Sequence, residues 1–453
     1  LRIAPGVPTI RLMKLEDRSD ILVTAALAGL ALLFVVFALW LQWFWAGTSM
    51  DIDVYWEAGR RMLHGGANLY AESEDGTNRV GLFIYPPLFA TLFAPITLLP
   101  RWAGYALWGL LELLLMAGGL RAARGLCEVP AGRQARLFYL LMLAGLFGAL
   151  WTNLQEGQVN MLVVSTLLAG AWLIEREKPL RGGLLLAAAT HLKVIPVVLL
   201  PILLAQKRFK AAAGMTAGLL LLWAAPLLYS VPNYGVVDGV KVNVSLHGDY
   251  LDSIVKPRLE AGNAAGLGGS RAPNNSLTAV ARRWFSDDHR LSLQSDGRSP
   301  LLAELPDGVV RYGALGLAAL LGGLSMLMAW RCRGSRLARN AVLGLALLSA
   351  ALANLLFWPH HLCLLLLVLG PLAAWGLRAN DLRPVYAAVG AALLLCYLPL
   401  IDTVPLFDQM AIWGTPTLGV LLIWAGVFFH FWRRPGTVPA VGDCPPSTSG
   451  TVH

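Results

Sequence analysis

Three carboxylates fall within seven residues of one another in the stretch Ser49-Met50-Asp51-Ile52-Asp53-Val54-Tyr55-Trp56-Glu57. A carboxylate held beside a bound hydroxyl can accept its proton as a general base. Grouped carboxylates can also hold Mg²⁺ or Mn²⁺ through their oxygens. Asp51 opens the group and has two readings, a general base or the cap of the helix that follows. Asp53 and Glu57 lie one helical turn apart and can pair with Arg60 or Arg61. Far downstream, Lys193 and Pro196 interrupt an apolar run, and an ionisable residue at membrane depth is a functional candidate by default. Lys193 can snorkel, pair with Glu112, or serve a site. His360 and His361 complete the set as a binding pair or as the cap of a helix. Being adjacent, they do not form a helical zinc pair. No obligatory metal or other cofactor is expected.

The elements that must position these groups are membrane helices. Of 453 residues, 57% are hydrophobic and 14% charged, against about 25% charged in soluble domains. Mean hydropathy is +0.60. These figures exclude a disordered chain and a small disulfide scaffold, and they argue against an ordinary soluble enzyme. Apolar runs of spanning character lie at 21–46, 102–120, 137–151, 159–174, 211–230, 309–330, 340–358, 361–377, 384–400 and 412–432. A further run, 182–205, has basic clusters at both ends and Lys193 and Pro196 at its middle. It reads as a re-entrant pair of half-helices, tolerated where protein or a water-filled cavity surrounds it. The expectation is an all-α polytopic membrane protein with roughly ten full spans plus this pair.

Net charge is +9, and sidedness accounts for it. The basic clusters between runs belong in the cytoplasm by the positive-inside rule. Those segments carry 22 Lys and Arg against 8 Asp and Glu, whereas the remainder carries 14 against 19. The excess is therefore topological, and nucleic acid is not an expected partner. Five cysteines without a Cys-x-x-Cys pair support neither a disulfide framework nor a metal cluster. The expected topology is multi-pass in a bacterial-type cell membrane, with an uncleaved first span and both termini cytoplasmic. Residues 1–435 read as one domain and 436–453 as a disordered tail.

Two outer segments, 48–101 and 231–308, exceed simple connectors. The first carries a short amphipathic helix, with Ile52, Tyr55, Trp56, Met62 and Leu63 on one face, suited to the membrane interface. Its motifs then take a recognisable order: Asp51-x-x-x-Tyr55, Gly65-x-x-x-Leu69-Tyr70 and Tyr85-Pro86-Pro87. The order continues through Gly157-Gln158-Val159-Asn160 and His191-Leu192-Lys193-Val194-Ile195-Pro196. It ends with Asn274-Asn275-Ser276-Leu277 and Trp358-Pro359-His360-His361. This series over residues 50–365 resembles the GT-C type membrane glycosyltransferases of glycosyltransferase family 87. The family more often has Gln where Asn275 stands, and Ser-Trp before the histidine pair where Trp358-Pro359 stands here.

The resemblance implies a GT-C type fold with amphipathic interfacial helices in the first outer loop. It also implies transfer of a sugar, usually mannose, from a polyprenyl-phosphate donor to a lipid or glycan acceptor on the outer face of the membrane. Membrane lipids, that donor and that acceptor are the expected partners. A catalytic Asp in the first outer loop matches Asp51. Tyr55, Tyr85, Gln158, Asn160, Lys193, His360 and His361 become expected substrate-binding residues. So do Arg258, Arg271, Asn274 and Asn275 of the second outer segment, whose glycines suit a lid. Departing phosphate needs positive charge or hydrogen-bond donors. Glu156 shares the Gln158 connector and can line the same cavity. Two other readings stand beside this one. A transporter or flippase of lipid-linked sugars would use Lys193 and Glu112 as its intramembrane site. A lipid-linked glycan ligase or polymerase would not need Asp51 as base.

Overall fold

The computed structural model describes residues 15–45, 51–71, 83–257, 274–286, 301–400 and 404–434. Among them every regular element is helical. The first half runs α1 (Leu15–Trp45), α2 (Asp51–Leu63), α3 (Pro87–Phe93), α4 (Arg101–Leu126), α5 (Arg133–Glu156), α6 (Asn160–Glu175) and α7 (Pro179–Leu192). It continues with α8 (Leu199–Ala205), α9 (Phe209–Leu222) and α10 (Leu227–Asp249). After α11 (Leu277–Phe285) come α12 (Asp307–Arg331), α13 (Arg336–Ala353) and α14 (Leu366–Ala379). The last are α15 (Arg383–Ala391), α16 (Pro405–Ile412) and α17 (Thr415–Trp432).

Among the described residues, seven helices are long and apolar enough to cross a membrane, and α9 with α10, bent by 54°, makes an eighth if counted as one span. The roughly ten expected spans included 159–174 and 384–400, whose helices are shorter. At 1.5 Å per residue, the 16 residues of α6 reach about 24 Å, less than the ~30 Å hydrocarbon core. Burial ranks the spans by position. In α1, 17% of the most apolar stretch is buried, against 83% in Pro359–Ala379. The histidine-bearing segment is thus central, and α1 flanks the bundle.

The run 182–205 breaks as its composition predicts. Lys193 is extended at the end of α7, and Pro196 starts a 3-10 turn, Ile195–Val198, leading into α8. Both ends of the run meet at one end of the bundle, because Arg208 pairs with Glu175. Glu175 also meets Arg339 at 2.9 Å and Arg336 at 3.7 Å. Arg336 pairs in addition with Glu128, and Asp20 on α1 pairs with Arg133 at 3.2 Å and Arg136 at 2.7 Å. The basic segments of the sequence therefore converge. The 31 residues of α1 lead away from them, and Asp51 follows a few residues after its far end.

Two expectations change. The apolar face of α2 is covered by protein, since Ile52, Tyr55 and Met62 are buried and α2 packs on α3 and the turn Ala94–Leu98. The segment 231–308 is not all loop: α10 extends through a π-helical turn to Val255, and α11 forms after an N-cap at Ser276.

Candidate active site

The base candidate sits where three elements meet. Asp51 is the first residue of α2, and its Oδ2 accepts a hydrogen bond from Gln158 Nε2. Gln158 lies on the connector between α5 and α6. Gly157 makes that connector possible by ending α5 in the left-handed region at φ 65°, where a side chain is strained. The Gln158 amide oxygen accepts from Tyr55 Oη at 3.2 Å and Tyr85 Oη at 3.1 Å, and those hydroxyls lie 3.0 Å apart. Burial pushes the Asp51 carboxyl up to about 6, and the Lys193 charge opposes this.

The neighbouring carboxylates turn away from Asp51. Asp53 is bonded by Arg101 and Tyr105. Glu57 pairs with Arg61 at 3.1 Å, as expected from the helical spacing. Asp51, Asp53 and Glu57 therefore do not converge as ligands for one cation.

Lys193 does not pair directly with Glu112. Its Nζ donates to Asn160 Oδ1 at 2.8 Å, and Asn160 Nδ2 donates to Asn153 Oδ1 at 3.1 Å. Asn153 Nδ2 then donates to Glu112 and, at 3.1 Å, to the Gln158 carbonyl. Cation and carboxylate are thus joined through two amides, every donor facing an acceptor. The ammonium also lies 5.9 Å from the centroid of the Tyr85 ring, within cation–π range. Lys193 takes an extended conformation at the end of α7, and its side chain lines the cavity.

His360 and His361 occupy the 3-10 turn Pro359–Leu365 that opens the central span. His361 Nδ1 accepts the Trp358 backbone N–H at 2.8 Å, so the ring proton sits on Nε2. His361 thereby caps its own turn, one of the two roles open to it from sequence, and still faces the cavity.

These groups surround one cavity of about 970 Å³. Asp51, Tyr55, Tyr85, Gln158, Lys193, His360 and His361 all line it, and Glu156 and Gln155 join them. Asn160 stands behind Lys193. Val194, Val197, Val198, Ile254 and Val255 make an apolar wall. Asn274 and Asn275 take another position. Asn274 donates to the Leu355 carbonyl at 2.8 Å and accepts from the Phe357 N–H at 3.0 Å, while the Asn275 N–H donates to the Phe357 carbonyl at 2.7 Å. They pin the segment leading to the histidines and do not line the cavity. Arg258 and Arg271 lie outside the described residues. Sequence reasoning missed Tyr250 and Asn153. Tyr250 was hidden because α10 was read as loop; Asn153 announces itself only as an amide beside an apolar run.

Residues 83–359 match the model of glycosyltransferase family 87. The chain belongs to glycosyltransferase family 87. It is a membrane glycosyltransferase. Tyr85, Gln158, Asn160 and Lys193 fall within the matched stretch. Asp51 and Tyr55 precede it, and His360 and His361 directly follow it. The chain is similar to a polyprenol-phosphate-mannose-dependent alpha-(1-2)-phosphatidylinositol mannoside mannosyltransferase of Mycobacterium tuberculosis. The two are 25% identical over 426 residues, 88% of this chain and 86% of the relative. A Mycolicibacterium smegmatis protein of the same description is 29% identical over 44% of this chain and 50% of its own length. A polyprenol-phosphate-mannose-dependent alpha-(1-2)-phosphatidylinositol pentamannoside mannosyltransferase, also from M. tuberculosis, is 26% identical over 36% of this chain and 38% of its own.

Proposed function

We propose that this family 87 enzyme transfers mannose from a polyprenyl-phosphate donor to a lipid-linked acceptor, with inversion, using Asp51 as general base. The observation that carries the reading is a carboxylate, Asp51, held at one oxygen by Gln158 and sharing a cavity with a fixed cation, Lys193, and an apolar wall. The acceptor hydroxyl gives its proton to Asp51 as its oxygen bonds to the sugar's anomeric carbon. The bond from that carbon to the phosphate oxygen breaks, and the polyprenyl phosphate leaves with the electron pair. Lys193 and the Nε2–H of His361 meet the charge on the departing phosphate, with His360 beside them. Phosphate is already a good leaving group, so one carboxylate suffices. The wall of Val194, Val197, Val198, Ile254 and Val255 suits the polyprenyl chain.

The dependence on mannose rests on the relatives, which are polyprenol-phosphate-mannose-dependent mannosyltransferases. The outer-face location rests on charge. The basic segments gather at the end opposite Asp51, and basic ends face the cytoplasm. On this reading α6, α9–α10 and α15 complete about ten spans in a bacterial cell membrane. Membranes carrying the protein are incubated with polyprenyl-phosphate mannose, and mannosylated lipid is measured. Asp51→Asn at normal abundance is expected to lower transfer by about 10²–10⁴-fold, the contribution of a general base. Undiminished transfer by that variant removes Asp51 from the mechanism.

A further inference from the structure

We propose that Gln158 is a positioning residue for the base: locked by the hydroxyls of Tyr55 and Tyr85, its amide holds one oxygen of Asp51 and leaves the other to the acceptor hydroxyl. The inference rests on Asp51 acting as base and assigns Gln158 a task other than binding substrate.

The lock follows from which atoms can donate. An ionised carboxylate only accepts, so the amide nitrogen must face Asp51 and the amide oxygen must face away. Two hydroxyl donors meet that oxygen, from Tyr55 at 3.2 Å and Tyr85 at 3.1 Å. A flipped amide would set its oxygen against the carboxylate and leave Asp51 without its donor. Gln158 is 2% exposed, and both tyrosines are buried. The backbone is held as well. The Gln158 N–H donates to the Asn153 carbonyl at 2.9 Å, and the Asn153 amide donates back to the Gln158 carbonyl at 3.1 Å. Both ends of the side-chain amide are therefore engaged before any substrate arrives. Among the described residues, only Gln158 donates to Asp51, and it donates to Oδ2 alone. Oδ1 is left to receive a proton.

Donation to the charged form favours that form. Without Gln158 the Asp51 carboxyl is expected to titrate higher, because burial stays and the donor is gone. The other ionisable groups at this cavity are Lys193, Glu156, Tyr55, Tyr85, Tyr250, His360 and His361, and none changes in the test.

The test is a pH–rate profile at saturating polyprenyl-phosphate mannose for wild type, Gln158→Leu and Gln158→Met. Gln158→Met is neutral, keeps the length of the side chain and removes the donor to Asp51, so it reports if the leucine variant does not accumulate. In both variants the acid limb is expected to move up by about one pH unit. kcat should drop about tenfold, with donor KM within twofold of wild type. An unmoved acid limb in whichever variant accumulates overturns the inference, as does a raised KM with kcat and limb unchanged, which would make Gln158 a substrate contact. Failure of wild-type membranes to transfer mannose from any such donor would instead overturn the proposed function itself.

Discussion

The unusual carboxyl of Asp51 has a direct consequence for rate. Burial holds it at about 6, above the ~3.9 of a free Asp. A base works in its ionised form, so transfer should rise with pH through about 6 and level off above it. Initial rates between pH 5 and 8 check this, and a flat profile there would count against Asp51 as the proton acceptor. The buried Glu112 makes a second prediction. Its Oε1 has no hydrogen-bond partner among the described residues, while Oε2 ends the amide chain from Lys193. Glu112→Gln keeps an acceptor for Asn153, so thermal unfolding in detergent should change little. Glu112→Ala leaves a void and an unmet amide donor and should cost about 2–4 kcal/mol. At this scale residue types were legible in sequence and partners were not. Asp51, Lys193 and the histidines stand out as polar groups beside apolar runs. That Asp53 meets Arg101, or that two asparagines separate Lys193 from Glu112, depends on side chains brought together from distant helices.

Helices α6, α7 and α9 pack closely because glycine lines their contacts. A Cβ at Gly182 would lie 2.5 Å from the Gly170 carbonyl oxygen, and one at Gly183 would lie 2.2 Å from that of Ala211. Gly183→Leu should push α7 off α9 and lower stability by about 3 kcal/mol, the upper range for overpacking. It should also weaken transfer, since Lys193 closes α7. A melting temperature equal to wild type would refute the close contact. Apolar runs announced most spans and the break at Lys193–Pro196. They did not announce that α6 stops at 16 residues or that α9 and α10 bend by 54°. Both features are settled by neighbours, which composition does not record. The apolar face of α2 looked suited to lipid for the same reason, since any apolar partner produces the same periodicity.

Across the whole molecule, charge separates the two ends of the bundle, and this was the most legible global feature of the sequence. The acidic exceptions at the basic end proved to be its organisers. Glu175, whose side chain is 6% exposed, meets Arg208, Arg336 and Arg339. Glu175→Ala would leave three guanidinium groups without their shared counter-charge, and removing one member of a buried ion group costs about 3–5 kcal/mol. Unfolding temperature should fall accordingly, while kcat of the surviving folded fraction should stay near wild type, because the cavity is at the other end. The same cluster carries a timetable. Glu175 and Arg208 leave the ribosome early and close the broken segment between them. Arg336 and Arg339 emerge more than a hundred residues later. The cluster can be complete only once α13 has been made, so it ties the later half of the chain to the earlier one.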